Sequence, residues 1–337
     1  MRDAAGTTLP ESAVEASARR WARWHWAEIL FWLSALALVF VAPRHHLMLN
    51  EIAILALFAL SLDLILGYAG IVSLGHAAYL GFGAYAAGLF AKHVMPDPLA
   101  GLAVAAVASA VLGLVTSVLV MRGTDLTRLL MTLGIALILG EIANKWSSVT
   151  GGADGLQGIS MGPVLGRFAF DLRGTTAFCY SLAVLFALFL VARRVVHSPF
   201  GLSLKGIRDN PMRARAIGVP VQARFRAVYT LSALYAGIAG ALLAQTTQFV
   251  SLDVFTVERS ADVMLVLIIG GAGYLYGGMG GAVAFKLLED ALKGVTPQYW
   301  QFWVGLILVV FVLIGRDRMT LWTARVRQRL SGKGGPL

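Results

Sequence analysis

Asp63 stands in an apolar run, one helical turn before the string "GYAGIVSLGHAAYLGFGAYAAG" (Gly67–Gly88), which carries Ser73 and His76 near its start. A carboxylate, a hydroxyl and an imidazole so close together could touch a solute, pass a proton or pin the backbone. Ionisable groups at membrane depth are functional candidates by default. Two roles stand open for Asp63: bonding the backbone of the Gly67–Ser73 turn, or facing a water-filled path. His76 has a similar pair of readings, capping or bonding a neighbouring carbonyl, or taking part in transport. A lone histidine without partners makes no metal site. Glu141 and Lys145 are four apart with the glutamate first, the favourable order for a helical ion pair. Glu289 and Asp290 read as interfacial residues at the end of an apolar segment. No nucleophile–base–acid constellation stands out, so an intramembrane hydrolase is not indicated.

Phosphate chemistry is equally unsupported. The Gly67–Gly88 string has six glycines but no lysine or arginine. No G-x-x-x-x-G-K-[ST] pattern occurs anywhere, so the chain has no Walker A loop. A second glycine string, "GGAGYLYGGMGG" at Gly270–Gly281, lies between apolar segments with no strand before it, which rules out a dinucleotide loop. Cys179 is the only cysteine, so neither an internal disulfide nor a cysteine-rich metal site is available.

The elements that must position these residues are membrane helices. The 337-residue chain is 58% hydrophobic and only 14% charged, against about a quarter charged in soluble domains. Ten apolar segments are predicted, at about 27–42, 48–66, 74–94, 98–121, 127–146, 176–194, 227–248, 260–271, 279–293 and 299–315. The expected fold is therefore an all-α polytopic membrane protein with about ten transmembrane segments. The eighth and ninth are short, and form either two spans or one broken, re-entrant element. Residues 1–26 read as a lead-in, possible at the interface through Trp21, Trp24 and Trp26, and Arg19, Arg20 and Arg23 precede an uncleaved first helix.

Charge sets the expected orientation. The formal charge of +10 sits in blocks between apolar spans, which points to topology rather than nucleic acid. Eight Lys/Arg face one acid between Arg193 and Arg226, and six more follow in the tail 316–337. Both stretches, and both termini, are expected in the cytoplasm. Residues 147–175 then fall outside.

Two small-residue seams are expected to pack helices. Ala77, Gly81, Ala84 and Gly88 are spaced 4, 3 and 4, and Ala233, Gly237, Gly240 and Ala244 repeat the pattern. Such residues let membrane helices approach closely. Gly67 and Gly70 are different: with Gly75 they suggest a turn or unwound segment where backbone groups line a pathway. Gly67-Tyr68-Ala69-Gly70 is weakly echoed by Gly270-Gly271-Ala272-Gly273. In the basic stretch, Pro211–Gly218 is predicted to form a short helix. Asp209 or Asn210 would cap it, Pro211 suits its first turn, and Gly218 with Pro220 ends it. Such a helix either receives force from another protein or is a solvated basic loop on anionic lipid.

At this point the chain resembles the permease subunit of bacterial branched-chain amino-acid ABC importers, of the LivM type. The resemblance covers about residues 48–315 and rests on four blocks in order. These are the Gly67–Gly88 string, "TGGADGLQGI" at Thr150–Ile159, "SPFGLSLKGIRDNPMRARAIGV" with "LYAGIAGALLA", and "SADVMLVLIIGGAGYLYGGMGGA" at Ser260–Ala282. The chain departs from the family's usual residues at Asp63, Ile71 and Gly278. The resemblance implies a permease domain at 27–315 with a coupling segment at 195–226. It implies a periplasmic binding protein, a homologous second permease of the LivH type and two ABC ATPase subunits as partners, in the inner membrane. ATP and Mg would bind the ATPases, and this chain would hold no cofactor and catalyse no reaction. Arg208, Asp209, Asn210, Ala214, Ala216 and Gly218 would meet the ATPase. Asp63, Gly67, Gly70, Ser73, Gly75 and His76 would lie at the pathway or gate. Thr150, Gly151, Gly152, Asp154 and Gly155 would form a periplasmic face that meets the binding protein or gates the entrance, or else a tight glycine turn. Branched-chain amino acids are the cargo implied; urea, short amides or aromatic acids are the alternative within the family. An ion-coupled secondary transporter, working through a residue such as Asp63, is the alternative outside it.

Overall fold

The computed structural model describes residues 26–314. The predicted lead-in before Trp26 and the basic tail after Gly315 lie outside them. Among the described residues there are thirteen α-helices. They are α1 (Trp26–Val41), α2 (His46–Leu66), α3 (Ala77–His93), α4 (Pro98–Val120), α5 (Asp125–Lys145), α6 (Ser147–Thr150), α7 (Thr175–Val196), α8 (Pro199–Asp209), α9 (Pro211–Ala216), α10 (Val221–Thr247), α11 (Val257–Gly270), α12 (Leu275–Val295) and α13 (Trp300–Ile314). Extended pairing among these residues is confined to two isolated bridges, Leu156 with Val250 and Val164 with Phe168. The all-α membrane fold is thus as the composition requires.

Each of the ten predicted apolar segments coincides with a helix, but the count of ten spans is not confirmed. Five helices are long and apolar enough to cross a bilayer alone, or six if the bent pair α11–α12 is one span. The shortfall is one of length. α1, α3 and α13 have 16, 17 and 15 residues, below the roughly 20 that a span needs. The eighth and ninth segments are two helices bent by 112° at the break after Gly270. Gly271 and Gly273 both have positive φ there, +93° and +84°, a region costly to residues with a Cβ.

The chain divides into two compact units, up to Val283 and from Ala284 onward. In the first, α2 and α10 are the buried helices: 78% and 72% of their apolar windows are enclosed, against 28% for α4 and 17% for α5. A helix apolar on every side belongs in such an interior. α10 packs on α2, α3 and α4. Its glycines make this possible. A Cβ on Gly83 of α3 would overlap the backbone of Gly237, and one on Gly240 would overlap the carbonyl of Leu80. A Cβ on Gly237 would overlap Ser109 of α4. Ala87, Ala105 and Ala241 meet where the three helices come together. Ala77, Ala84, Ala233 and Ala244 are fully buried. The Ala77–Gly88 stripe turns partly elsewhere: Gly81 abuts Phe255, and Gly88 abuts Leu156 and Ile159. α10 instead meets the adjoining Gly83.

In the second unit, Glu289 of α12 accepts from Lys286 at 2.9 Å and Lys293 at 2.5 Å. Lys293 also lies 4.5 Å from the centroid of the Trp300 ring. Glu289 is therefore an ion-paired residue, which its interfacial reading did not specify.

Candidate functional site

α2 ends where Gly67 caps it, with Gly67 N–H bonded to the Asp63 carbonyl at 2.8 Å. The chain then runs without helix to α3. The Asp63 side chain sits one turn back, 1% exposed. It does not bond the Gly67–Ser73 turn. Its Oδ1 accepts the Gly273 N–H at 2.6 Å, from 210 residues away. Gly273 lies in the break between α11 and α12. The other oxygen, Oδ2, is buried with no hydrogen-bond partner.

Arg208, in the last turn of α8, reaches the same place. Its Nη1 donates to the Gly67 carbonyl. Its aliphatic stem lies along Gly70, where a Cβ would come within 2.9 Å of Arg208 Cγ and where φ is +72°. Lys205, one turn earlier on α8, stands 5.5 Å from the centroid of the buried Tyr68 ring. Asp63, Gly67, Gly70, Arg208 and Gly273 therefore form one junction. It joins the end of α2, the end of α8 and the α11–α12 break. Gly67 has no room for more: a Cβ would overlap Asp63 Oδ1 and the Gly273 nitrogen.

His76 and Ser73 lie apart from that junction. The His76 imidazole stacks on Phe58 at 5.5 Å and bonds Ser61 Oγ at 2.8 Å through Nε2. Ser232 of α10 donates to the Ser61 carbonyl at 2.5 Å. Nearby on α3, Tyr79 bonds Tyr229 at 2.9 Å and Thr116 at 2.8 Å. This polar chain ties α2, α3, α4 and α10 together inside the bundle. Gly75 lies against the carbonyl of Thr132, and Ala77 N–H donates to Ser260 Oγ of α11 at 3.0 Å. Ser73 is 1% exposed and its Oγ has no partner.

The α8–α9 pair links α7 to α10. Ser198 caps α8 and Asn210 caps α9, accepting from Arg213 N–H at 2.9 Å. Pro199 and Pro211 occupy the first turns, as their fixed φ favours. α8 is anchored by Gly201, Leu204 and Ile207 on one buried face. α9 is different: only Ala214 is buried, while Met212 is 72% and Ile217 76% exposed. Asp209, Ala216 and Gly218 are exposed too. Gly218 has φ +85° and open space around it, so conformation rather than crowding calls for glycine there.

Thr150–Gly155 forms a separate, local structure. Thr150 Oγ1 donates to the carbonyls of Ala143 at 2.5 Å and Trp146 at 2.8 Å. Gly151, Gly152 and Gly155 all have positive φ. Leu156 then pairs with Val250, just past the end of α10, and the Asp154 side chain is exposed. Glu141 and Lys145 pair at 3.4 Å on the exposed face of α5.

The sequence reading singled out Asp63, Gly67 and Arg208 but placed them in two groups. It missed Gly273, Ser61, Ser232 and Lys205. Only Gly273 had a signal, the weak likeness of its string to Gly67–Gly70.

Residues 46–313 match the family model described as branched-chain amino acid transport system / permease component. The high-affinity branched-chain amino acid transport system permease protein LivM of Salmonella typhimurium is 26% identical over 284 residues, 76% of this chain and 65% of the relative. LivM of Escherichia coli is 25% identical over 283 residues, with the same coverage. The chain thus spans 65% of the length of these relatives. The galactose/methyl galactoside import permease protein MglC of Salmonella typhimurium is 28% identical over 229 residues, 65% of this chain and 66% of that protein. No solved structure matches the chain.

Proposed function

The chain belongs to the family of branched-chain amino acid transport system permease components, and on that premise we propose that it is the membrane-spanning subunit of a bacterial ABC importer for leucine, isoleucine and valine. A periplasmic binding protein delivers the solute, and a second, LivH-type permease completes the pathway. Two ABC ATPase subunits bind and hydrolyse ATP with Mg, and this chain carries out transport without catalysing a reaction. Residues 27–315 are the permease domain and 195–226 its coupling segment, in the inner membrane with both basic ends inside. The Thr150–Gly155 loop then faces the binding protein.

The observation that carries this reading is α9. A capped, basic helix held between two membrane helices exposes Met212 and Ile217. Two large apolar groups exposed on a short basic helix favour a protein contact over a solvated loop. Arg208, Asp209, Asn210, Ala214, Ala216 and Gly218 position that surface against the ATPase.

The test is co-purification with candidate ATPases, followed by cargo-stimulated ATP hydrolysis in liposomes that contain the binding protein. Deleting Pro211–Gly218 is expected to abolish assembly and uptake together. Intact assembly and uptake in that deletion would overturn the reading. The likeness to MglC supports a second cargo, a sugar moved by the same machine. Comparing leucine with galactose as the stimulating solute separates the two.

A further inference from the structure

The junction at Gly67 places two remote segments on one turn of α2. Arg208 holds the carbonyl of Gly67, the residue that caps α2. Asp63, one turn earlier, holds the N–H of Gly273. The two contacts are linked by a short, stiff path, because Gly67 N–H is itself bonded to the Asp63 carbonyl at 2.8 Å. Arg208 Nη1 also lies against Gly273, where an added Cβ would come within 3.3 Å of it.

We propose that Asp63 and Arg208 are positioning residues, forming the joint through which movement of α8–α9 reaches the break between α11 and α12. This deepens the importer reading and rests on it, since it takes α8–α9 as the element an ATPase moves. It assigns Asp63 away from cargo binding. The carboxylate is enclosed: Oδ1 is committed to a backbone N–H, and Oδ2, although without a hydrogen-bond partner, is buried too and faces no open path.

The geometry explains why these residue types are needed. The break bends the chain by 112° with Gly271 and Gly273 at positive φ. In such a conformation the Gly273 N–H has no helical partner, and a buried N–H left unpaired is costly. Asp63 supplies an acceptor without local helix, so the bend persists only while α2 stays in register with it. Arg208 fixes that register from the other side. Its guanidinium is planar and permanently charged, so it can hold a carbonyl while its stem lies along Gly70. Lys205 against Tyr68 provides a second point of contact between α8 and the same loop. A shift of α8 therefore cannot leave the Gly67 loop behind, and a shift of Gly67 pulls on the turn that carries Asp63.

The test is hydrogen exchange of the peptide covering Gly271–Tyr274, on the full chain in lipid nanodiscs. This readout needs no ATPase, so it can fail separately from the importer reading, which fails if no ATPase co-purifies. Asp63→Ala is expected to speed exchange there about tenfold, as for one buried hydrogen bond. Asp63→Asn keeps an acceptor oxygen and is expected to stay within about threefold of wild type on the same grounds. Arg208→Ala, which removes no bond to Gly273, is nevertheless expected to speed exchange at that peptide by about fivefold, through loss of register. Arg208→Lys is expected to recover part of that. In the reconstituted complex Asp63→Ala should hydrolyse ATP while moving less cargo per ATP, with unchanged affinity for the loaded binding protein. Wild-type exchange at Gly271–Tyr274 in Arg208→Ala would overturn the joint. So would a change in cargo affinity in Asp63→Asn with cargo moved per ATP unchanged, which would put Asp63 on the pathway. Should Asp63→Ala fail to assemble, the two Arg208 variants decide the matter alone.

Discussion

Two of the glycine-rich breaks, at Gly67–Gly75 and Thr150–Gly155, are held in opposite ways. The Thr150–Gly155 loop is secured by near neighbours: Thr150 bonds Ala143 and Trp146, and three glycines supply the turns. Its distant ties are few, the Leu156–Val250 bridge and the packing of Leu156 on Gly88 of α3. The Gly67–Gly75 break is secured from afar, by Arg208 and by Asp63 reaching Gly273. Ser61 and His76, which flank the Gly67–Gly75 break, meet Ser232 of α10, and the Thr150–Gly155 loop leads to the bridge with Val250 just past its end, so the two breaks lie roughly 25 Å apart along α10. Similar composition has produced a self-contained turn at one end and a meeting point of distant segments at the other. A self-contained turn can fail without consequence elsewhere, whereas a meeting point cannot.

The largest effect expected from this contrast is at Gly67. Gly67→Ala places a methyl on Asp63 and the Gly273 nitrogen, an overpacking cost of about 1–3 kcal/mol. Folded yield by fluorescence-detected size exclusion should fall at least severalfold, and a wild-type profile would show the junction to be loose. Thr150→Ala removes two hydrogen bonds to helix-end carbonyls and should cost about 1–2 kcal/mol. Faster hydrogen exchange should appear at 150–156 and not at 271–274; a response at both would erase the distinction between the breaks. Asn210→Ala removes the α9 cap, worth about 1 kcal/mol of helix stability. It should weaken ATPase binding about fivefold, measured by titration, and leave the Thr150 loop unchanged.

The smallest effect concerns the start of α7. Burial pushes the Asp171 carboxyl up, but hydrogen bonds from Thr176 and Thr175 outweigh it and hold the group below the usual carboxylate range. Its contribution is therefore present above the unfolded value of about 3.9 and lost as pH falls through the lower folded one. Limited proteolysis within 160–175 should quicken on going from pH 5 to below pH 3, and Asp171→Asn should flatten that response.

Much of this was legible in the residues. The spacing of Gly237 and Gly240 announced a close helix contact, and Asn210-Pro211 with Gly218 announced a capped helix. Apolar runs located every long helix. What could not be read was partnership across the chain. Asp63 was open between a local turn and a pathway because a carboxylate bonded to a backbone N–H leaves no mark on its partner's side chain; any residue at 273 could donate. The bond of Arg208 to Gly67 could not be read because nothing local shows that α8 lies along Gly70. The count of ten spans is not confirmed, because apolar residues enclosed by protein look the same in sequence as those facing lipid: α3 is apolar, yet it lies mostly inside the protein at 17 residues.

The fit of α10 against α3 and α4 also sets a schedule for synthesis. The groove that Gly83, Leu80 and Ser109 present to α10 is complete in the growing chain once α4 has emerged. α10 follows about 130 residues later, an interval of roughly 6–25 s at ordinary elongation rates. Through that time the Tyr79 and Ser109 hydroxyls have no Tyr229 or Gly237 beside them. The nascent half-bundle therefore holds that groove open until its last wall is made, with Tyr79 bonded meanwhile only to Thr116 of α4.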